Sequence, residues 1–381
     1  MSVAEAPAAP DRIAGAPHPR ETGRLFGQSM AETAFMTAWA AGRLHHGWLL
    51  TGPRGTGKAT LAWRIARFLL ATPPADEGGL FGAPPPPATL DIDPEHPVAR
   101  RLRAGADPGL ATIIRTVNEK TGRLRAEIVA EDVRALNRFF GLTATDGGHR
   151  VVIVDCADEM NPTAANALLK MLEEPPARTT LLLVSHQPAQ LLPTIRSRCR
   201  ALRLAPLSPQ DMQAALAQTG ADLPERPEML AALAAGSVGD ALRLLNLDGL
   251  RLYADLVAVL DSLPRLDRPR ALALADAAAQ KGGAARFDLL LDLIDIALSR
   301  LARTGATGHA PSPEAAPGEA QAFTRLAPGP AQGRAWADAA AAITARARHG
   351  RAVNLDPAAL VLDTVFRMQE TAGRTTRRQD R

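Results

Sequence analysis

The residues best suited to chemistry lie between positions 52 and 60. Gly52-Pro53-Arg54-Gly55-Thr56-Gly57-Lys58-Ala59-Thr60 follows a short apolar run, Trp48 to Thr51, and opens a helical stretch. Glycines at 52, 55 and 57 let the backbone turn tightly enough for several N–H groups to converge on phosphate oxygens. The helix start adds partial positive charge, and Lys58 can reach the outer phosphates. The position after the lysine should carry a hydroxyl for magnesium, and it is Ala59. Thr60 does not replace that hydroxyl, because one helix residue further on its side chain is rotated by about 100°.

Nucleotide hydrolysis needs further parts: a metal-supporting carboxylate at the end of a second strand and an acid to orient the attacking water. Val151-Val152-Ile153-Val154 ends in Asp155, which suits the first role. Its neighbour is Cys156, and a thiol does not polarise water as a carboxylate does. Ser185 ends another apolar run, Leu181 to Val184, and can offer a hydrogen bond to phosphate or water. The degenerate nucleotide-binding set is therefore Gly52, Gly55, Gly57, Lys58, Thr60, Asp155 and Ser185.

Elements that position these groups follow from periodicity. Strands are expected at Trp48 to Thr51, Ala111 to Arg115, Val151 to Val154, Leu181 to Val184 and Ala201 to Leu204. The intervening helices include one from Lys58 to about Ala71, with Leu61, Ile65 and Leu69 four apart, one over Ile128 to Phe140, and one over Thr163 to Leu172. Strand–helix alternation implies a parallel α/β sheet with right-handed crossovers. Residues 72 to 98 are a Pro/Gly-rich insertion without periodicity. Strands cease after Ser208, which caps a helix, and a Leu/Ala-rich helical region follows from about Asp248, interrupted between Thr304 and Ala320.

Composition narrows the classes. In 381 residues, 46% hydrophobic and 22% charged is ordinary soluble chemistry, and a net charge of +4 permits nucleic-acid contact without demanding it. Two cysteines, Cys156 and Cys199, are too few for a disulfide framework or a four-cysteine zinc site. His45 and His46 are adjacent and point apart on any regular element, so no metal site is expected. No apolar run approaches the ~20 residues that span a bilayer, and no membrane association is expected.

One string carries a family resemblance. Asn166-Ala167-Leu168-Leu169-Lys170-Met171-Leu172-Glu173-Glu174-Pro175-Pro176, followed by Ile195-Arg196-Ser197-Arg198-Cys199, resembles the clamp-loader branch of the AAA+ ATPases. Leu25 to Gln28, Leu44 to Gly57 and Gly236-Ser237-Val238-Gly239-Asp240-Ala241 fit the same family, so the likeness covers about 24 to 246. It implies that Arg198 is a trans arginine finger, aimed at the γ-phosphate held by a neighbouring subunit. It also implies that Gly239 stands where an active subunit carries a sensor arginine, and that the usual four-cysteine zinc module is missing from the insertion. Ala59, Cys156 and Gly239 together give the profile of a subunit that lends catalysis without performing it.

The fold class implied is a RecA-like AAA+ α/β domain, a small helical lid and an all-helical collar. The boundaries expected are a disordered leader at 1–22, the α/β domain at 23–206, the lid at 207–247, the collar at 248–372 and a basic tail at 373–381. The function implied is that of a non-hydrolysing cytoplasmic component of DNA polymerase III, needing no cofactor and binding ATP weakly or not at all. Its partners would be the delta and gamma/tau subunits in a heteropentamer, the sliding clamp, and primed DNA through the assembly. The alternatives are an active gamma/tau-like ATPase subunit and a stand-alone DNA-binding adaptor on a dead AAA+ scaffold.

Overall fold

A computed structural model describes residues 11–72, 87–141, 148–279 and 283–377. The chain divides into two compact units, residues 1–220 with 236–239, and residues 221–235 with 240–381.

The first unit is built on five parallel strands in the order β2-β3-β4-β1-β5. They are β1 (Gly47–Thr51), β2 (Leu110–Ile113), β3 (Arg150–Val154), β4 (Thr179–Ser185) and β5 (Arg200–Arg203). All five match the strands expected from the apolar runs. The three central strands are buried on both sides because their side chains alternate between two cores. Trp48, Leu50, Val151, Ile153, Leu182 and Val184 face one core with Phe35, Leu61, Ile65 and Phe68. Leu49, Val152, Val154, Leu181 and Leu183 face the other with Val133, Leu136, Leu168 and Ile195.

The helices of the first core are α1 (Ser29–Ala40), α2 (Lys58–Ala71) and α3 (Pro97–Arg103). Those of the second are α4 (Ala130–Gly141), α5 (Pro162–Glu173) and α6 (Pro193–Ser197). Asn161 caps α5 by accepting from the Ala164 N–H at 2.9 Å, with proline at the first helical position. Helix α7 (Pro209–Thr219) starts at Ser208, whose Oγ accepts from the Asp211 N–H at 3.1 Å.

Residues 11–22 depart from the leader expected at 1–22. They form consecutive turns against α2: His18 is buried, holds Asp11 at 2.9 Å and meets the Trp63 ring edge-on. Arg67 donates to the Arg20 carbonyl at 2.7 Å. Ala/Pro composition hid this, because three polar side chains do the holding rather than an apolar face. Residues 1–10 of that leader, 73–86 of the insertion and 378–381 of the tail lie outside the described residues.

The second unit is helical throughout its described residues: α8 (Pro227–Ala234), α9 (Val238–Asn246, whose first two residues belong to the first unit), α10 (Gly249–Asp261), α11 (Arg268–Ala279), α12 (Ala284–Thr307), α13 (Glu319–Leu326), α14 (Pro330–Ala352) and α15 (Pro357–Arg377). Two details differ from the sequence expectation. Helix α12 runs through Thr304 to Thr307, so the interruption starts only at Gly308. Gly305 is helical because α12 touches α14 there: a Cβ on Gly305 would stand 2.7 Å from Gly333 Cα. The tail expected from 373 is helix to Arg377, with Thr375 buried and its hydroxyl donating to the Thr371 carbonyl at 3.1 Å.

At the centre of this unit Glu319 is fully buried. Its carboxylate accepts from Tyr253 at 2.7 Å, from Arg300 Nε at 2.6 Å and Nη2 at 2.9 Å, and from the Ala315 N–H at 2.6 Å. A buried carboxylate is tolerable when its lone pairs are used in this way.

Candidate functional site

In a parallel sheet every strand ends on the same edge, and binding groups collect there. The loop from Gly52 follows β1, Asp155 follows β3, and Ser185 is the last residue of β4, in register with Thr51. The sheet therefore brings together the glycines, Lys58, Asp155 and Ser185 expected from sequence. Thr60 lies on α2, half-buried, two residues beyond Lys58. Gly52, Gly55 and Gly57 have φ of +144°, +72° and +93°, which explains their residue type.

The loop is closed on its own chain. Lys58 is 3% exposed and its ammonium donates to the loop's Gly52 carbonyl at 2.8 Å and to the Pro53 carbonyl. The Val238 and Gly239 N–H groups donate to the Gly55 carbonyl at 3.0 and 3.3 Å. An added Cβ on Gly239 would meet both Gly55 Cα and Ile13 Cδ1 at 3.0 Å, so a side chain there would have to displace the loop or Ile13. Leu25 lies over Gly57, and the buried Gln28 amide donates to the Thr56 and Ala205 carbonyls at 3.2 and 2.8 Å. Arg54, on the loop, stands 3.8 Å from Glu159.

Burial governs the titration of these groups. It pulls the Lys58 ammonium down to about 8, against the attraction of the Asp158 and Asp155 carboxylates. It pushes the Asp155 carboxyl up to about 6, helped by the like charge of Asp11. The Cys156 thiol is pushed up to about 12, by burial and then by Asp155, and so carries no charge at neutral pH. His186 falls to about 4, through burial and the nearby Lys58 and Arg54 cations. Cys156 Sγ and His186 Nε2 are 3.3 Å apart, a neutral thiol–imidazole contact between the ends of β3 and β4. Ser185 Oγ and His186 Nδ1 are buried without a hydrogen-bond partner among the described residues.

Arg198 lies at the other edge of the sheet. It caps the C-terminus of α6 and precedes β5, whose Arg200 pairs in register with Trp48 at the start of β1. An added Cβ on Gly47, the first residue of β1, would lie 3.2 Å from the Arg198 carbonyl. The glycine loop begins only after Thr51, so four residue steps of about 3.3 Å put roughly 13 Å between the two sites along the strand. Arg198 therefore lies at the opposite ends of the strands from the chain's own loop. Its Nη2 pairs with Glu173 Oε1 at 2.9 Å and its Nη1 donates to the Thr194 carbonyl at 3.1 Å.

Sequence reasoning did not find four of these participants. Glu173 lies within the quoted Leu-Glu-Glu-Pro-Pro string, but its partnership with Arg198 depends on α5 and α6 ending side by side. His186 directly follows Ser185, and a strand-end position was the available signal. Asp11 and Ile13 carried no local signal.

The family described as DNA polymerase III, delta subunit, matches residues 27–208. The DNA polymerase III subunit delta' of Pseudomonas aeruginosa is 39% identical over 203 residues, covering 52% of this chain and 55% of that one. That of Escherichia coli K12 is 34% identical over 218 residues, covering 56% and 58%. The DNA polymerase III subunit gamma of Buchnera aphidicola subsp. Schizaphis graminum is 28% identical over 233 residues, covering 60% and 58%. The chain spans about half the length of the curated relatives it matches, and the matched segment holds the glycine loop, Asp155, Ser185 and Arg198 together. Residues 27–208 are thus similar in sequence to the delta and delta' subunits of DNA polymerase III.

Proposed function

We propose that this chain serves a DNA polymerase III clamp loader as its non-hydrolysing delta-prime subunit, supporting a neighbour's ATP site through Arg198. The observation that carries the reading is the separation of Arg198 from the glycine loop, on opposite edges of one sheet. A guanidinium there does not serve its own loop and, once it leaves Glu173, can serve a site on another subunit. In phosphoryl transfer an arginine supplied in trans stabilises the charge spreading over the equatorial oxygens, and is typically worth ~10³–10⁵ in rate.

The chain's own loop fits ATP and magnesium poorly. Ala59 offers a methyl where the metal needs a hydroxyl, Lys58 is satisfied by loop carbonyls, and Gly55 is bonded to 238 and 239. No step of hydrolysis is assigned to this loop, and ATP binding here is weak or absent. The partners in this reading are the delta and gamma/tau subunits, the sliding clamp and primed DNA, with residues 248–372 as the collar that assembles them. The assembly acts in the cytoplasm; among the described residues no helix is long and apolar enough to cross a membrane.

The test is Arg198→Ala in the reconstituted loader. Turnover at the neighbouring ATP site should fall by ~10³ or more while the complex still assembles. Unchanged DNA-stimulated ATPase and clamp loading would remove the finger assignment. The isolated chain should show no turnover, and hydrolysis lost on Lys58→Ala would instead identify a gamma/tau-like motor. Failure to enter the complex at all would point to an adaptor.

A further inference from the structure

The flank of α2 away from the glycine loop carries a cavity of about 260 Å³ lined by Arg20, Arg24, Arg67 and Arg103, with Glu21 and Asp91 as the acidic members. The acids do not balance the bases. Asp91 is committed to Arg64, which it meets at 2.9 Å while Glu32 holds the same guanidinium at 3.0 Å. Glu21 is 3.8 Å from Arg20 and accepts from the His18 N–H at 3.3 Å. Among the described residues Arg24, Arg67 and Arg103 form no ion pair. Arg67 makes a hydrogen bond to the Arg20 carbonyl, and Arg103 makes one to the Pro94 carbonyl at 3.2 Å. The Arg20 Nε is buried without a hydrogen bond.

Such crowding is costly without an anion. Burial lowers the Arg67 pKa, and the like charges of Arg64 and Arg103 lower it further. Ile92 and Ala99 give the cavity an apolar wall, which strengthens any charge interaction made inside it. The donors are guanidiniums, whose forked N–H groups suit the oxygens of phosphate. A single carboxylate would use one fork and cancel one charge, whereas a phosphate or diphosphate offers oxygens to several forks and carries two or more charges.

We propose that this cavity is a binding site for a small phosphate anion, inorganic phosphate or diphosphate, held chiefly by Arg67 and Arg103 with Arg20 beside them. The site is separate from the glycine loop: it uses Arg67 well inside α2, Ala99 and Arg103 of α3, and the turns at 20–24 and 91–94, not the N-terminus of α2. It is independent of the role given to Arg198.

Calorimetric titration of the full chain with inorganic diphosphate at low salt tests it. One molecule should bind per chain, and Arg67→Gln should weaken binding by about tenfold or more, the loss of a charge-assisted hydrogen bond. Arg103→Gln, on an exposed side chain, should weaken it in the same direction without disturbing the fold, and Arg67→Lys should retain part of the affinity. Lys58→Ala should bind as the wild type does. Equal affinity in both arginine variants would overturn the proposal, as would loss of binding in Lys58→Ala, which would place the anion at the glycine loop. Binding of single-stranded oligonucleotide with none of diphosphate would likewise overturn it, since the surface would then be one for nucleic-acid backbone.

Discussion

Arg198 is held by a carboxylate, so acting on a phosphate means exchanging one anion for another. The Glu173 pair is half-exposed, and pairs of that kind are worth about 0.2–1 kcal/mol. Glu173→Gln should therefore release the guanidinium and raise loader ATPase before DNA engages by about 1.4- to 5-fold. Glu173→Gln combined with Arg198→Ala should match Arg198→Ala alone, because the glutamate acts only through the arginine. A rise that survives loss of Arg198 would show another route. Asp155 gives a second expectation at this scale. Its carboxyl is raised from 3.8 to about 6 by burial and by Asp11, so the folded chain binds the extra proton between those values. That contribution to stability is complete below about 3.8, falls as pH rises, and is gone above about 6. Asp155→Asn, which keeps the shape and drops the charge, should gain on the wild type across this window. By neutral pH it should be more stable by up to about 3 kcal/mol; urea unfolding at pH 4 and pH 7.5 measures it. An advantage that shrinks with rising pH would contradict the burial argument.

Between elements, glycine and buried charge decide how helices meet. Gly305 and Gly333 bring α12 and α14 into backbone contact, where a Cβ on Gly333 would stand 2.6 Å from the Ala306 nitrogen. Gly333→Ala has helix propensity in its favour by about 1 kcal/mol, but it forces rigid backbones apart, and overpacking costs about 1–3 kcal/mol. Net destabilisation is expected, read as a lower melting temperature; a rise would mean that the two helices separate without cost. The Tyr253–Glu319–Arg300 network is stricter. Glu319→Ala leaves Arg300 beside an emptied site and should cost about 3–5 kcal/mol. Calorimetry on the full chain checks this, and a loss below about 1 kcal/mol would mean that water reaches the cluster. Periodicity made the helices legible, but not these contacts: a glycine inside a Leu/Ala-rich helical pattern reads as a break, as Gly305 did, until the partner helix is placed. The same holds for residues 11–22, where His18 meets Trp63 and the Arg20 carbonyl meets Arg67, both on α2 and distant in sequence.

For the molecule as a whole, the proposal of a non-hydrolysing subunit rests on several positions at once. Ala59→Ser would restore a hydroxyl but leave Cys156, Gly239 and the bonds from 238 and 239 to Gly55 in place. The isolated variant should therefore show no ATP turnover above background, and measurable hydrolysis would sink the reading of a non-hydrolysing subunit. The sequence by itself determined the five strands, because runs such as Val151 to Val154 can only be buried on both faces. It also set the residue types of the loop, three glycines with Lys58 and Ala59, because residue type at a fixed spacing is local information. It marked Arg198 through the string around it. Tertiary structure alone decided that Arg198 and the loop occupy opposite edges, since strand order and direction fix that, and that Glu173 holds the guanidinium. It alone decided that the loop is closed by Val238 and Gly239, far along the chain, and that four arginines from separate turns and helices share one cavity. Those outcomes depend on which side chains meet after the chain has folded back on itself, and no spacing along the chain encodes such meetings.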